Sequence, residues 1–154
     1  MDQHAREGTN QMHGRDRAAA LLGYELVSVD AGRAVVRMVV RDDMVNGLGS
    51  CHGGLIFTLA DSAMAHASNS HGVEAVAVAA SIDLVRPARP GAVLTAEAVE
   101  RFHLGRTGLY DAIVTDGDGE LVARFHGRTR HRETARVVPA DRPDPAAAGG
   151  RGAR

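Results

Sequence analysis

Residues 46–61 read NGLGSCHGGLIFTLAD, a glycine-rich turn that runs directly into an apolar helical segment. Backbone N–H groups in the first turn of a helix have no carbonyl partner within the helix. Such a turn therefore presents free donors at the positive end of the helix dipole, where a negative charge can bind. Asp61 is the one acid in a segment of otherwise apolar or small residues. Oxyanion donors combined with a single acid are typical of acyl-transfer sites.

The helical segment covers residues 52–71 and is followed by Gly72, a typical helix terminator. Small residues on one of its faces, including Ser62 and Ala65, would let a second helix approach closely. Another face carries apolar residues at helical spacing, which predicts a stripe packed against a sheet. The stripe consists of Ile56, Leu59, Ala60, Ala63, Met64 and Ala67.

The remaining periodic segments alternate in the manner of strands. Two precede the helix, at residues 24–29 and 33–41, and four follow it, at residues 73–86, 92–103, 107–115 and 120–130. Consecutive strands joined by short turns form an antiparallel sheet, and one helix can cover one of its faces. The predicted fold class is α+β, a curved antiparallel sheet wrapped around one long central helix, which is the hotdog fold.

This pattern predicts one domain at residues 15–132. Residues 1–14 are polar and lack periodicity, so we expect a flexible N-terminus. Residues 133–154 are rich in Pro, Ala, Gly and Arg, and we expect a disordered tail because few large apolar side chains are available to bury.

The composition excludes several classes of protein. The net charge of −1 gives no overall attraction to nucleic acid or membranes, and 3% aromatic residues without Trp argue against a base-stacking surface. Cys51 is the single cysteine, so no internal disulfide forms. With no secretory signal or long apolar span, the expected location is the cytoplasm.

The spacing of Gly53 and Asp61 predicts a dimer. Eight residues correspond to about 12 Å along a helix, too far for both to act on one carbonyl carbon. Two antiparallel helices across a two-fold axis would bring Gly53 of one chain to Asp61 of its partner. We therefore expect two active sites shared between the chains.

Five segments of the sequence together resemble a known family. Residues 43–47 (DMVNG), 52–54 (HGG) and 58–61 (TLAD), followed by 81–87 (SIDLVRP) and 105–111 (GRTGLYD), resemble the phenylacetic-acid-degradation (PaaI-type) thioesterases of the hotdog superfamily. The resemblance covers residues 15–132.

The resemblance implies four catalytic roles. The Gly53 N–H would polarise the thioester carbonyl, and Asp61 would activate water or attack directly. Asn46 would orient the water or the carbonyl, and His52 would contact the carbonyl or the sulfur. Family members hydrolyse aryl-acetyl-CoA and related acyl-CoA thioesters as dimers, often paired into tetramers, without metal or other cofactor.

Further residues are candidates for binding the acyl group or coenzyme A. Gly54 and Phe57 lie within the motif, and Phe57, Met64 and Tyr110 are candidates for lining an acyl pocket. In some related enzymes a hydroxyl from the strand after the helix positions the attacking water; that strand is mostly alanine here, and Ser81 is its candidate for this role or for substrate binding. Because Arg binds phosphates through two parallel N–H groups, Arg86, Arg89 and Arg106 are candidates for the CoA phosphates. In the last strand, Arg and His alternate onto one face, which indicates a solvated surface or a further phosphate site.

Each signal also has a simpler interpretation. Asn46 could only cap its turn, His52 could only begin the helix, and Asp61 could be a structural acid bonded nearby. Cys51 and His52 are adjacent, which rarely aims both side chains at one point. His66 and His71 are five residues apart and do not share a helical face, so we expect no metal.

Two other functions are compatible with the predicted fold. A hydratase or dehydratase of acyl thioesters would need a His paired with a second acid, and no such pair stands at a convincing spacing. A non-catalytic acyl-CoA-binding protein would gain nothing from the isolated charge of Asp61.

Overall fold

The computed structural model describes residues 3–132 of the 154-residue chain. One six-stranded sheet, in the order β1-β2-β4-β5-β6-β3 with all neighbours antiparallel, packs against one long helix. The predicted hotdog fold is therefore confirmed. The elements are α1 Gln3–Arg15, α2 Arg17–Leu22, β1 Glu25–Asp30, β2 Arg33–Val39, a short 3-10 helix Asp42–Met44, α3 Gly53–Asn69, β3 Ala75–Leu84, β4 Val93–Leu104, β5 Thr107–Thr115 and β6 Leu121–His131.

Helix α3 lies on the inner face of the sheet. All six residues of its predicted apolar stripe are at most 2% exposed, so that prediction is confirmed. The contact with β6 is close, because a Cβ added to Gly127 would overlap the sulfur of Met64. A glycine at this position lets the helix approach the strand. The position of the added Cβ also shows that Gly127 lies on the face of the sheet that packs against α3.

The N-terminal segment, for which the sequence predicts flexibility over residues 1–14, contains the 13-residue helix α1. The segment contains no proline, and the helix packs on α3 and β1. Thr9 is buried, and the rings of His13 and His66 lie 5.3 Å apart between centroids. Tertiary contact stabilises a helix whose own sequence pattern is weak. The predicted tail at residues 133–154 lies outside the described residues.

Strand β3 forms one edge of the sheet and, among residues 3–132, pairs only with β6. It is ten residues long, and two of its apolar side chains, Val76 and Val78, are 56% and 48% exposed. Long apolar edge strands offer unpaired N–H and C=O groups that folded proteins usually cover.

A polar cluster lies at the end of the sheet farthest from the start of α3. We call His71, Glu100, His103 and His131 the histidine cluster; they follow α3, belong to β4, or end β6. Burial alone would raise the pKa of Glu100, but hydrogen bonds from His71 and Tyr110 lower that pKa to about 2.

No helix within residues 3–132 combines the length and the apolar character needed to cross a bilayer.

Candidate active site

The loop before α3 is held by internal hydrogen bonds to Asn46. Its side-chain Oδ1 accepts hydrogen bonds from the Leu48 N–H at 2.9 Å and from the N–H and hydroxyl of Ser50 at 3.4 Å. The Asn46 backbone N–H donates to the Ser50 carbonyl at 2.8 Å. Asn46 therefore does cap its turn. Its Nδ2 group has no protein partner within the described residues and stays available to a ligand.

His52 begins α3 as its N-cap. Its Nδ1 accepts a hydrogen bond from the Gly54 N–H at 3.1 Å. The N–H groups of Leu55 and Ile56 donate to the His52 carbonyl at 2.9 and 3.4 Å. The N–H of Gly53, in contrast to those of Gly54, Leu55 and Ile56, has no acceptor within residues 3–132. The helix start thus leaves one free donor at its positive end.

Gly53 also lies against the end of β3. A Cβ at this position would lie 2.5 Å from Cδ1 of Leu84, whose side chain is 53% exposed. The sequence alone did not single out Leu84, because the contact joins residues 31 positions apart. Leu84 limits the space on the Cα side of Gly53, where a larger residue would place its side chain.

Asp61 is half-buried on α3, and its carboxylate forms no hydrogen bond or ion pair within the described residues. Burial raises the pKa of this carboxyl above its ordinary value of 3.8. The interpretation of Asp61 as a structural acid bonded nearby therefore finds no partner among those residues. A partly desolvated, unpaired carboxylate is a stronger base than an exposed one.

Tyr24 was also missed by the sequence analysis. It is buried, its hydroxyl donates to the Leu55 carbonyl at 3.3 Å, and burial is the main cause that raises its pKa, with Asp61 among the charges that contribute. Tyr24 precedes Asp61 by 37 residues and carries no motif, so no local signal could have found it.

A single chain brings together only part of the predicted catalytic set. Asn46 lies in the loop that leads into α3, and His52 and Gly53 begin that helix, whereas Asp61 lies about 12 Å further along the same helix. The predicted roles of these residues stay predictions.

Cys51 is 4% exposed, and burial raises the pKa of its thiol. Because the thiolate is the reactive form of cysteine, this environment opposes a nucleophilic role. The Nδ1 atom of the neighbouring His52 already accepts a hydrogen bond from the Gly54 N–H, so this atom is not paired with the Cys51 thiol.

The candidate acyl-pocket residues separate into two groups. Phe57 is half-buried and packs edge-on against Phe125, with ring centroids 5.2 Å apart. Met64 and Tyr110 are fully buried, and the Tyr110 hydroxyl donates to Glu100 at 2.5 Å. Both belong to the core of the chain, so Phe57 is the one of the three that borders an open surface.

Ser81 lies on the face of the sheet opposite α3. It pairs with His126, and His126 is next to Gly127, which faces α3. Successive residues of a strand point to opposite faces, so Ser81 and His126 share the outer face. Both line a groove of about 330 Å³ there. Ser81 is therefore on the wrong face to position water at the Gly53 end of its own helix, and it remains a candidate contact for coenzyme A.

The three candidate arginines differ in surroundings. Arg86 forms an ion pair with Glu120 at 2.8 Å, and the Nε of Arg106 donates to the His131 carbonyl at 2.8 Å. The Arg89 guanidinium has no partner within residues 3–132. Its neighbour Ala88 accepts a hydrogen bond from the Cys51 N–H at 2.8 Å, so Arg89 lies near the start of α3.

Comparison with known proteins agrees with this architecture. Residues 48–123 match the thioesterase superfamily. The chain is 43% identical over 132 residues to the acyl-coenzyme A thioesterase PaaI of Escherichia coli, covering 86% of this chain and 94% of that protein.

Two solved structures extend the comparison. The structure of the E. coli PaaI protein from the phenylacetic acid degradation operon aligns with a TM-score of 0.83 at 41% identity, covering 86% of this chain and 96% of that one. A Streptococcus mutans protein solved with bound acetyl-CoA aligns with a TM-score of 0.69 at 28% identity, covering 72% and 90%. With its fold, its helix-start motif and these similarities, the chain belongs to the thioesterase superfamily and is a relative of the PaaI acyl-CoA thioesterases.

Proposed function

We propose that this protein hydrolyses acyl-CoA thioesters to the free acid and coenzyme A. The observation that carries the proposal is the pair formed by a free Gly53 N–H at the start of α3 and an unpaired, partly desolvated Asp61 on the same helix. The 43% identity to the E. coli acyl-CoA thioesterase supports the same conclusion.

In the proposed mechanism, the thioester oxygen accepts a hydrogen bond from Gly53 N–H and Asp61 removes a proton from water. The resulting hydroxide adds to the carbonyl carbon, and the negative charge on oxygen is stabilised at the positive helix end. Collapse of this intermediate breaks the C–S bond, and the proton held by Asp61 passes to the departing sulfur. Asn46 orients the water or carbonyl through its free Nδ2, and His52 holds the turn through Gly54 N–H.

The site is shared between two chains in this proposal. Gly53 and Asp61 are about 12 Å apart along one helix, whereas antiparallel helices from two chains bring the pair together. The exposed edge of β3 supports this arrangement because pairing with a second copy would satisfy its backbone groups. Pairing of dimers into tetramers stays a prediction, as does the cytoplasmic location.

For the substrate we propose phenylacetyl-CoA, hydroxyphenylacetyl-CoA or a related aryl-acyl thioester. The support is the similarity to E. coli PaaI from the phenylacetic acid degradation operon. Phe57, at the border of the core next to the helix start, is the aromatic candidate for contact with the acyl group. Among the arginines, Arg89 is the preferred phosphate contact because its guanidinium has no partner within the described residues.

The reaction needs no metal or organic cofactor in this proposal, since the carboxylate and the backbone donor supply base and oxyanion stabilisation. Enzyme dialysed against a chelator is expected to retain its activity below its melting temperature.

The test is thiol release from a panel of CoA thioesters, including phenylacetyl, hydroxyphenylacetyl, medium-chain and acetyl groups. Asp61→Asn keeps the shape and removes the base, so kcat should fall by about 100- to 10,000-fold while thioester binding persists.

Because burial raises the pKa of Asp61, the acidic limb of the wild-type rate profile should lie above pH 3.8.

Asp118→Asn serves as the matched control, because it removes an exposed acid in the turn after β5 and should leave kcat unchanged. Wild-type turnover in Asp61→Asn would contradict the mechanism. Binding without thiol release by the wild-type enzyme would instead indicate an acyl-CoA-binding protein.

A further inference from the structure

Three imidazoles and a carboxylate meet at the end of the sheet away from the start of α3. The Glu100 Oε2 atom accepts from the Tyr110 hydroxyl at 2.5 Å, and it lies 2.7 Å from Nε2 of His71 and 3.5 Å from Nδ1 of His103. The ligand atoms of His71, Glu100 and His103 all lie within 4.8 Å of one another. One metal ion could bind all three atoms at once.

The two ligand histidines are held in place by the fold. His71 follows the end of α3, and its side chain is 20% exposed, whereas the side chain of His103 in β4 is 3% exposed. The other ring nitrogen of His103, Nε2, lies 3.2 Å from the Gly105 carbonyl. A carbonyl can only accept, so Nε2 carries the hydrogen and the lone pair of a neutral His103 ring is on Nδ1, facing Glu100. Metal-binding histidines show this pattern, in which the second nitrogen donates to a carbonyl.

His131 provides an independent observation. Its side chain is fully buried, and neither ring nitrogen has a hydrogen-bond partner within residues 3–132. The ring stacks on His103 with centroids 4.4 Å apart and lies 6.2 Å from the His71 ring. Buried polar groups without partners are rare and costly in folded proteins. A ligand bound among these rings would account for a third buried imidazole here.

We propose that His71, Glu100 and His103 form a site for a divalent transition-metal ion, with Zn²⁺ as the expected ion and His131 as a buried neighbour outside the three-ligand group. Two imidazoles and a carboxylate suit Zn²⁺ and related first-row ions rather than Mg²⁺ or Ca²⁺, which prefer oxygen ligands. No metal was expected, because His66 and His71 do not share a helical face and because the family resemblance implied none for catalysis. The cluster proposed here joins residues that are distant in sequence and lies away from the catalytic motif.

The site is structural. It would join the end of α3 to β4, about 25 Å along the helix from Gly53. It is independent of the proposed hydrolysis, because the binding measurements below do not involve turnover.

The test uses the full-length chain without an affinity tag, stripped of metal with a chelator and titrated with Zn²⁺ by calorimetry. We expect one Zn²⁺ per chain. Because Zn²⁺ would bind the folded state, its presence at about a hundredfold excess over Kd should raise the melting temperature by about 5 to 10 °C. His71→Ala and His103→Gln should each weaken binding by about 100-fold or more.

The matched control is His126→Gln. His126 also contacts a carboxylate, with Nδ1 2.7 Å from Oδ1 of Asp111, but this surface pair is not part of a three-ligand group. Zn²⁺ binding should be unchanged in this variant.

X-ray absorption of the Zn²⁺-loaded wild-type protein gives a readout that needs no variant. Imidazole scattering without sulfur is expected, whereas a sulfur ligand would place the ion at Cys51 and overturn the proposal. Absence of Zn²⁺ binding by the wild type, or unchanged affinity in folded His71→Ala and His103→Gln, would also overturn it and leave the histidine cluster a hydrogen-bonded network.

Discussion

In the proposed mechanism Gly53 acts through its backbone N–H, so one substitution can remove the N–H and another can fill the space beside Gly53 while keeping the N–H. Proline at the first position of a helix is well tolerated, and it removes the N–H. The preceding residue, His52, has φ −60° and ψ 128°, a conformation compatible with a following proline. The structure therefore allows the proposed oxyanion donor to be deleted without unwinding α3.

We predict that Gly53→Pro lowers kcat by about 100- to 1,000-fold, the usual effect of losing one oxyanion donor. Gly53→Ala is the matched control, because its Cβ meets the same Leu84 side chain while the N–H is kept. The loss in Gly53→Ala should be much smaller, since the exposed end of Leu84 can move. Equal losses of kcat in both folded variants would contradict the donor role.

At the scale of elements, α3 carries both proposed catalytic groups and also packs against α1. Its first turn carries the free donor, its middle carries Asp61, and its last turns pack against α1 through His66. Burial, followed by the neighbouring His13, lowers the pKa of His66 from 6.5 to about 4, while Asp16 opposes this shift. Between these two pH values, His66 is therefore mostly neutral in the folded protein but protonated in the unfolded chain.

We predict that this histidine makes the protein less stable as the pH falls from 6.5 towards 4, by up to about 3 kcal/mol, and has no such effect above pH 6.5. His66→Gln should reduce the slope of this part of the profile, because glutamine does not titrate, whereas burial also lowers the pKa of His131 to about 4 and its contribution remains. Urea unfolding at fixed protein concentration from pH 4.5 to 7.5 measures the difference. His126→Gln, which removes an exposed histidine, should keep the wild-type slope; a wild-type slope in His66→Gln would refute the assignment.

At the scale of the whole molecule, one chain leaves two features incomplete. The edge of β3 is unpaired within the described residues, and Gly53 and Asp61 are separated by two turns of α3. Association of two antiparallel copies would complete both features. A complementation experiment distinguishes shared sites from sites within one chain.

Asp61→Asn and Gly53→Pro chains, each with a different tag, are co-expressed and the hybrid dimers purified. If sites are shared, each hybrid contains one intact site and one site with both defects, so the hybrid should have about half of the wild-type activity. If each site lies within one chain, no intact site exists. Background activity in folded hybrid dimers would therefore contradict the shared site, and a monomer of full activity would contradict the dimer.

The local features of this protein could be predicted from its sequence. Helix α2 is capped at its C-terminus by Gly23, which has φ 70°, and α3 is capped at its N-terminus by His52. Such capping and glycine signals lie within a few residues of the helix ends that they determine. The apolar stripe of α3 follows from helical spacing, and the alternation of β6 follows from the two-residue period of strands. The group Asn46, His52 and Gly53 lies within eight residues, so its proximity needed no tertiary information.

Other features depended on contacts between distant residues. The fold of α1 depends on packing against α3, which its weak pattern does not encode. The outer-face position of Ser81 depends on its pairing with β6, in a strand whose register shifts between Ala77 and Ala79, and such a shift changes which residues share a face. The histidine cluster joins residues 71, 100, 103 and 131. Local propensity determined the elements and the helix-start motif, whereas strand register and packing decided which distant side chains meet.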